Sequence, residues 1–373
     1  MKKQIIILLA IIVLGCVFVG CSKQSVENDV NNKEVKERAP WIKVAEEEMI
    51  SGEDVKIPPA KDIKRVVIVA PPITSVVIKL IPDQKMIVGL NEKAFIQSDD
   101  GIMEKVFPKY KNIDTKFVGE DFSINKESLL ALKPDIILYY GEAQKKNLEN
   151  IGVPIINFFS PKLTDPKDVT IAWNNLLCEI FDIEKKSLLS DEWQHSEKLS
   201  KKILPQSNSE KVKALWIFRN VKGKLMVAGK SSFDAYAESY FEKAGIINVA
   251  NEIQGTAEVN MEQIQAWNPD MIFVFQGVPA GAYLKNNIEG QDWSMIKAFQ
   301  EKKIYDIPKT TYSWAAPCMD SPLMPLWLGS KAYPEKFTNE DFIKEFKDYY
   351  TRVYSISLTD QDIKAILGLS GNK

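Results

Sequence analysis

The sequence predicts an α/β protein of two Rossmann-like lobes, with mostly parallel sheets, joined by one long helix. Three observations carry that prediction. Short β-branched runs alternate with helical stretches up to about residue 160 and again from about residue 213, a pattern that builds parallel strands with helical crossovers. Residues 165–204 between them show helical apolar spacing and no strand pattern. A fifteen-residue phrase also occurs twice, "INKESLLALKPDIIL" from Ile124 and "VNMEQIQAWNPDMIF" from Val259.

The chain begins with Lys2 and Lys3 and then "IIILLAIIVLG", the charged and apolar regions of a secretory signal. The apolar stretch from Ile5 to Gly20 nearly reaches membrane-spanning length, so an uncleaved anchor is the competing reading. Two features favour cleavage. "FVGC", ending in Gly20-Cys21, resembles the bacterial lipobox, which implies cleavage before Cys21 and lipid on its thiol. The chain also turns polar at once, in "SKQSVENDVNNKEVKER", whereas apolar and small residues continue after the other match at Cys16. Two acyl chains suffice for stable anchoring. The expected order is therefore a lipoprotein signal over 1–21, a flexible tether over 22–40, an N-terminal lobe over 41–164, a connecting helix over 165–205 and a C-terminal lobe over 206–373.

Composition excludes several classes. The net charge is −2 and basic residues form no run beyond short pairs, which argues against nucleic acid as a partner. Cys178 and Cys318 stand far apart and form no disulfide framework; both are expected to be free. About 330 residues beyond the tether are enough for two sizeable cores. The arginines are few, Arg38, Arg65, Arg219 and Arg352, among a large excess of lysine.

Element by element, "EEEMISGEDVKIPP" predicts a hairpin around Ser51-Gly52. "KRVVIVAPP" is a strand buried on both faces. "ITSVVIKLIP" is helical, "KMIVGL" a strand, "FVGE" a short strand, "INKESLLAL" a helix, "DIILYYG" a strand, "AQKKNLENIG" a helix and "VPIINFF" a strand. In the connector, Ile171, Leu176, Leu177, Ile180 and Ile183, then Leu188, Leu189, Trp193 and Leu199, recur at helical spacing. The second lobe repeats the grammar with "VKALWIF", "GKLMVAG", "SFDAYAESYFEKAG", "VNMEQIQAW", "DMIFVFQG" and "IYDIP", and ends in a helical region.

In each copy of the repeated phrase the Asn (Asn125, Asn260) suits a helix N-cap. The Glu (Glu127, Glu262) falls in the first turn, where the helix dipole favours negative charge. Pro-Asp then stops the helix and an apolar run opens the next strand. On these grounds alone the two glutamates need no role beyond architecture.

The ordered set "KRVVIVAPP", "IVGL", "ESLLALKPDIIL", "LENIGVPIINF", "AGKSSF", "EKAGIINVA", "VNMEQIQAWNPDMIFVF", "IYDIP", "YSWAAPCMDSPLMPLWLGSKAYPEKF" and "YYTRVYSISLTDQDIKAIL" resembles the substrate-binding lipoproteins of ABC importers for iron–siderophores, haem and cobalamin. The resemblance covers almost the whole chain after the tether. It implies that Glu127 and Glu262, one per lobe, form salt bridges with arginines of a permease dimer, and through it serve the ATPase. It also implies a lipid-anchored extracytoplasmic receptor for a small-molecule metal chelate, with no enzymatic activity and no cofactor of its own. An iron chelate is the leading ligand; a corrinoid or haem is the alternative, and an extracellular enzyme or scaffold on the same fold the remote one.

Ligands of open α/β sheets lie beyond the carboxyl ends of the strands. Candidates there are Pro71, Pro72, Ile73, Thr74, Asn91, Glu92, Tyr139, Tyr140 and Ser160 in the first lobe. Arg219, Ser231, Phe233, Gln276 and the "TTYSWAAPCMD" loop are the candidates in the second. The tyrosines fit packing as well as ligand contact. Arg219, directly after an apolar strand, suits either a clamp for an anion or a structural ion pair. Trp314 matches a family position, and its flat face suits a chelate or macrocycle. His195 is the single histidine and sits in "DEWQHSEK", where it is expected to be solvated, so a bare transition-metal site is not expected. "AGKSS" fails the phosphate-loop pattern because residue 224 is lysine, and no clustered acid–base pair or GxSxG is present.

Overall fold

The computed structural model describes residues 41–43, 54–119, 123–184, 187–232 and 235–368. The described residues belong to one compact unit. Cys21, the tether, the Ser51-Gly52 turn and Phe233 lie outside the described residues. The strands flanking that turn, β1 (Trp41–Lys43) and β2 (Asp54–Lys56), do pair antiparallel, with Trp41 opposite Lys56.

The first lobe carries β3 (Val66–Ile68), β4 (Ile87–Leu90), β5 (Ile136–Tyr139) and β6 (Ile155–Asn157) in the order β4-β3-β5-β6. All of its pairings are parallel. Val66 and Ile68 face one core and Val67 the other, each fully buried, which is why the run shows no polar alternation. "FVGE" forms no strand; Val118 makes only an isolated bridge to Ile124.

The second lobe holds β7 (Lys213–Val221), β8 (Lys224–Ala228), β9 (Ile247–Asn248), β10 (Thr256–Glu258), β11 (Met271–Gly277) and β12 (Ile304–Asp306). Their order is β10-β8-β7-β11-β12, with β9 also against β7. This sheet is mixed. β7, β9, β11 and β12 run parallel, while β8 and β10 are antiparallel additions at one edge. Along β7, Ala214 and Trp216 enter one core and Leu215 and Ile217 the other.

The connector is not the single helix expected over 165–205. It is a helical hairpin, Pro166–Phe181 followed by Leu188–Ile203. Asp182 ends the first arm in a left-handed conformation at φ 51°. Trp193 Nε1 donates to Thr170 Oγ1 at 2.9 Å and Lys167 pairs with Glu197 at 2.6 Å, so the arms run antiparallel. The apolar stripe continues through the turn because both arms bury their inner faces in one core. Periodicity therefore carried no sign of the reversal. Each arm of 16 residues is about 24 Å long at 1.5 Å per residue, about two-fifths of what one continuous helix over 165–205 would span. The first arm packs against the Thr74–Leu80 helix of the first lobe; the second packs against Ala237–Ala244 and Met324–Ala332 of the second.

One apolar core runs from Ile68 and Leu138 through Trp173 and Trp193 to Trp216 and Phe273, so both lobes share it with the hairpin. Further bonds join the lobes directly. Asp99 N donates to Thr310 O at 2.8 Å, Met319 N donates to Ser75 Oγ at 3.0 Å, and Lys105 pairs with Asp362 at 2.9 Å. The C-terminal segment thus returns to the first lobe. Wide separation of the lobes would break a continuous packed interior, which is costly.

Candidate functional site: a cleft between two lobes

The carboxyl ends of both sheets face cavities walled by the two lobes together. The first cavity, about 480 Å³, is lined by Pro72, Tyr140, Gly141, Glu142, Ala143 and Phe159 from one lobe and Tyr236, Ala316 and Pro317 from the other. Its wall is chiefly aromatic and aliphatic. Tyr140 and Phe159 meet edge to face at 5.1 Å. Tyr140 N donates to Gln144 Oε1 at 2.7 Å, and Gly141 N donates to Asn157 Oδ1 at 3.0 Å, so the backbone at the cavity floor is fixed. Glu142 is the one acidic residue of this wall, exposed and 3.9 Å from Lys145.

The second cavity, about 410 Å³, has a polar wall. Arg219, Gln276, Asp306 and Lys309 line it from the second lobe, Ile96 and Gln97 from the first. Arg219 is exposed on β7 opposite Gln276 on β11, in register. Among the described residues no hydrogen bond or ion pair engages its guanidinium, so the structural ion-pair reading of Arg219 has no partner here. Gly277, at φ +92°, brings the end of β11 so close to β7 that a Cβ would lie 2.0 Å from Asn220 O; only glycine fits beside Gln276. Asp306 accepts from Ala280 N at 2.8 Å, and Lys309 Nζ donates to Ile96 O at 3.2 Å across the cleft. Asp306 opens onto the cavity, yet surrounding protein holds its carboxyl above the usual carboxylate range. Burial likewise lowers the Lys309 ammonium below an ordinary lysine, with Asp306 partly offsetting it.

Several expected contacts sit elsewhere. Trp314 is fully buried, donates from Nε1 to Thr310 Oγ1 at 2.7 Å and packs edge-on against Phe342 and Phe346. It has no face left for a ligand and is a core residue. Tyr139 is likewise sealed in the core. Thr74 is buried at the start of its helix, with Oγ1 unpaired. Ser231 is half-buried, and its Oγ accepts from Ser239 N at 2.9 Å. Asn91 is spent on Val69 O and Lys93 N, and the buried Ser160 accepts from Lys162 N. Of the expected set, the structure brings Arg219 and Gln276 together in one cavity, and Tyr140, Pro72 and, from the "TTYSWAAPCMD" loop, Ala316 and Pro317 in the other. Glu142, Phe159, Tyr236, Asp306 and Lys309 were missed. Asp306 and Lys309 flank Pro308 at the end of "IYDIPK", where the strand-end rule applied to Arg219 and Gln276 would have found them.

Glu127 and Glu262 are exposed in the first turns of the helices Lys126–Ala131 and Met261–Trp267. Asn125 and Asn260 cap those helices, accepting from Ser128 N and Gln263 N, both at 2.9 Å. Cys178 and Cys318 are buried, and neither is in a disulfide. His195 is partly exposed and shares a hydrogen bond with Glu345 at 3.0 Å, so it is engaged rather than simply solvated. Among the described residues no His/Cys/Asp/Glu group is placed to hold a metal ion, and no helix is long and apolar enough to cross a membrane.

A cleft walled by two packed α/β lobes is a place where a small solute can be held. Residues 76–311, more than half of the chain, match the profile of the periplasmic binding protein family, and the chain belongs to that family. It is a solute-binding protein of the kind that works with ABC importers outside the cytoplasm. The molybdate-binding protein MolA of Haemophilus influenzae is 26% identical over 265 residues, 64% of this chain and 72% of that one. The Fe(3+)-citrate-binding protein YfmC of Bacillus subtilis is 25% identical over 325 residues, 84% of this chain and 92% of that one. A solved periplasmic solute-binding protein from Veillonella parvula is 28% identical, with a TM-score of 0.71 over 87% of this chain and 96% of that one.

Proposed function

We propose that this chain is a lipid-anchored receptor, tethered through Cys21, that captures an iron chelate or similar anionic metal complex between its lobes. It delivers that complex to a permease dimer seated on Glu127 and Glu262. The observation that carries the ligand class is the exposed, unpartnered Arg219 guanidinium at a strand end inside the cleft. An arginine so placed forms charge-assisted, bidentate bonds to carboxylate or other oxyanions. The absence of a ligand cluster among the described residues fits a metal arriving already complexed. Two relatives named for molybdate and ferric citrate, both anionic metal species, support the same class.

The aromatic cavity of Tyr140, Phe159 and Tyr236 favours the second reading, a flat macrocycle such as haem or a corrinoid. Titrations of the intact chain in detergent with ferric citrate, molybdate, haem and cobalamin separate the two. Saturable binding of an anion that Arg219→Ala weakens supports the first. Haem or cobalamin binding that depends on Tyr140 and ignores Arg219 replaces it with the second.

A further inference from the structure

Lys309 shares the Arg219 cavity, and no expectation from the sequence had included it. β7, β11 and β12 are adjacent strands, with Arg219 opposite Gln276 and Val274 opposite Asp306. Arg219 and the loop carrying Lys309 therefore flank β11 at the carboxyl edge of the sheet. The titratable side chains lining this cavity are Arg219, Lys309 and Asp306, an excess of one positive charge. The wall from the first lobe, Ile96 and Gln97, adds a main-chain carbonyl and an amide but no charge.

Neither cation is neutralised at contact distance. Among the described residues, no salt bridge within 4.0 Å engages Arg219 or Lys309, and Asp306 spends Oδ1 on Ala280 N. The Lys309 ammonium makes one hydrogen bond, to Ile96 O. An ammonium has three donors, so two remain for an occupant of the cavity. For the partly buried Lys309, charge without an ionic partner is costly, and an incoming anion relieves that cost. A bare metal cation would instead be repelled.

We infer that Arg219 and Lys309 form a two-cation receptor for a solute bearing at least two anionic oxygens, with Lys309 setting the preference for dianionic over monoanionic groups. The inference rests on the cleft reading above and goes beyond it in naming the charge the solute carries and the residue that reads it. Because Lys309 also holds the main chain of Ile96, the solute meets the lysine where the lobes are tied together. Burial makes Lys309 lose its proton at lower pH than an ordinary lysine, while Asp306 works the other way. Asp306 on β12 and Arg219 on β7 are the charged groups facing it. Dianion binding should therefore weaken at alkaline pH through Lys309.

The test uses the intact chain in detergent and two tetrahedral oxyanions of similar shape, molybdate (dianion) and perrhenate (monoanion), with ferric citrate as a larger probe. Calorimetry should show molybdate binding about tenfold or more tighter than perrhenate. Lys309→Gln should lower molybdate affinity by about tenfold and remove most of that preference. Lys309→Arg should keep the preference and flatten the loss of affinity at alkaline pH, a change that a merely structural lysine would not produce. Unchanged molybdate affinity in Lys309→Gln overturns the inference. If Arg219→Ala weakens binding while Lys309→Gln does not, only the role of Lys309 is lost and the cleft reading stands. Failure of all three anions to bind the unaltered chain overturns the receptor outright; haem or cobalamin saturating that same preparation leaves the cleft reading in its macrocycle form.

Discussion

Asp135 and Asp270, the last polar residues of the two copies of the repeated phrase, do the same work in the two lobes. Asp135 Oδ2 accepts from Lys64 N at 2.7 Å and Arg65 N at 2.8 Å, and Asp270 Oδ2 accepts from Lys213 N at 2.9 Å. Their own N–H groups donate back, to Arg65 O and Lys213 O, both at 2.8 Å. Each aspartate thus clamps the end of a helix-to-strand corner onto the strand that begins its lobe. The second copy adds an ion pair, Lys297 to Asp270 at 2.6 Å. The repeat is a structural joint at its Asn, Pro and Asp, and it leaves the glutamate of each copy pointing outward.

Removing the clamp should cost stability and nothing else. Asp135→Ala and Asp270→Ala should each destabilise by about 1–2 kcal/mol, as expected for lost hydrogen bonds to a charged group at a site that water can reach. Urea unfolding measures the loss, and ligand affinity of the folded protein should stay unchanged.

Asp270 also makes a prediction about pH. Burial raises its carboxyl, but Lys297 and the Lys213 N–H outweigh that and leave it below the ordinary value. A depressed folded value stabilises fully above the unfolded value of about 3.9 and loses that contribution as pH falls through the folded one. Asp270→Asn should therefore flatten the decline in stability below about pH 4. An acid-unfolding curve as steep as that of the parent chain would refute this.

Charge reversal at both docking candidates, Glu127→Lys with Glu262→Lys, should abolish solute uptake in cells while leaving affinity in solution intact. Both side chains are exposed and distant from the cavity linings, so lost binding in vitro would point to a folding defect instead. Undiminished uptake would leave the glutamates with only their place in the first turn of a helix.

Trp314→Ala should behave as a core deletion. The indole is fully buried among Phe342 and Phe346, so the expected cost is about 3–5 kcal/mol. Arg219→Ala is the converse: thermal stability should hold within about 0.5 kcal/mol, and affinity for an anionic solute should fall about tenfold or more. If the tryptophan variant kept full stability and lost affinity, the roles assigned here to the two residues would be exchanged.

Much of the fold was legible because it rests on local chemistry. The unbroken apolar runs at 66–69 and 214–217 read as strands since both faces of those sheets are buried. Asn125 and Asn260 read as caps because a short side chain before a helix has few other uses. The reversal after Phe181 was hidden, since both arms of the hairpin turn apolar faces to one core and Asp182 carries no signal strong enough to mark a left-handed stop. The cleft was half legible: strand ends pointed to Arg219, Gln276 and Tyr140 but could not separate Tyr140 from its buried neighbour Tyr139.

From the sequence alone came the lobes, the repeated corners, the outward glutamates and the single histidine, all consequences of residue type and spacing along the chain. Only the tertiary structure decided which aromatic faces the cavity and which is sealed inside. It also brought Lys309 to the same cavity as Arg219, 90 residues away in the chain, and left the arginine without a partner among the described residues. Those outcomes depend on burial and on distances across strands, and neither is written in any one segment.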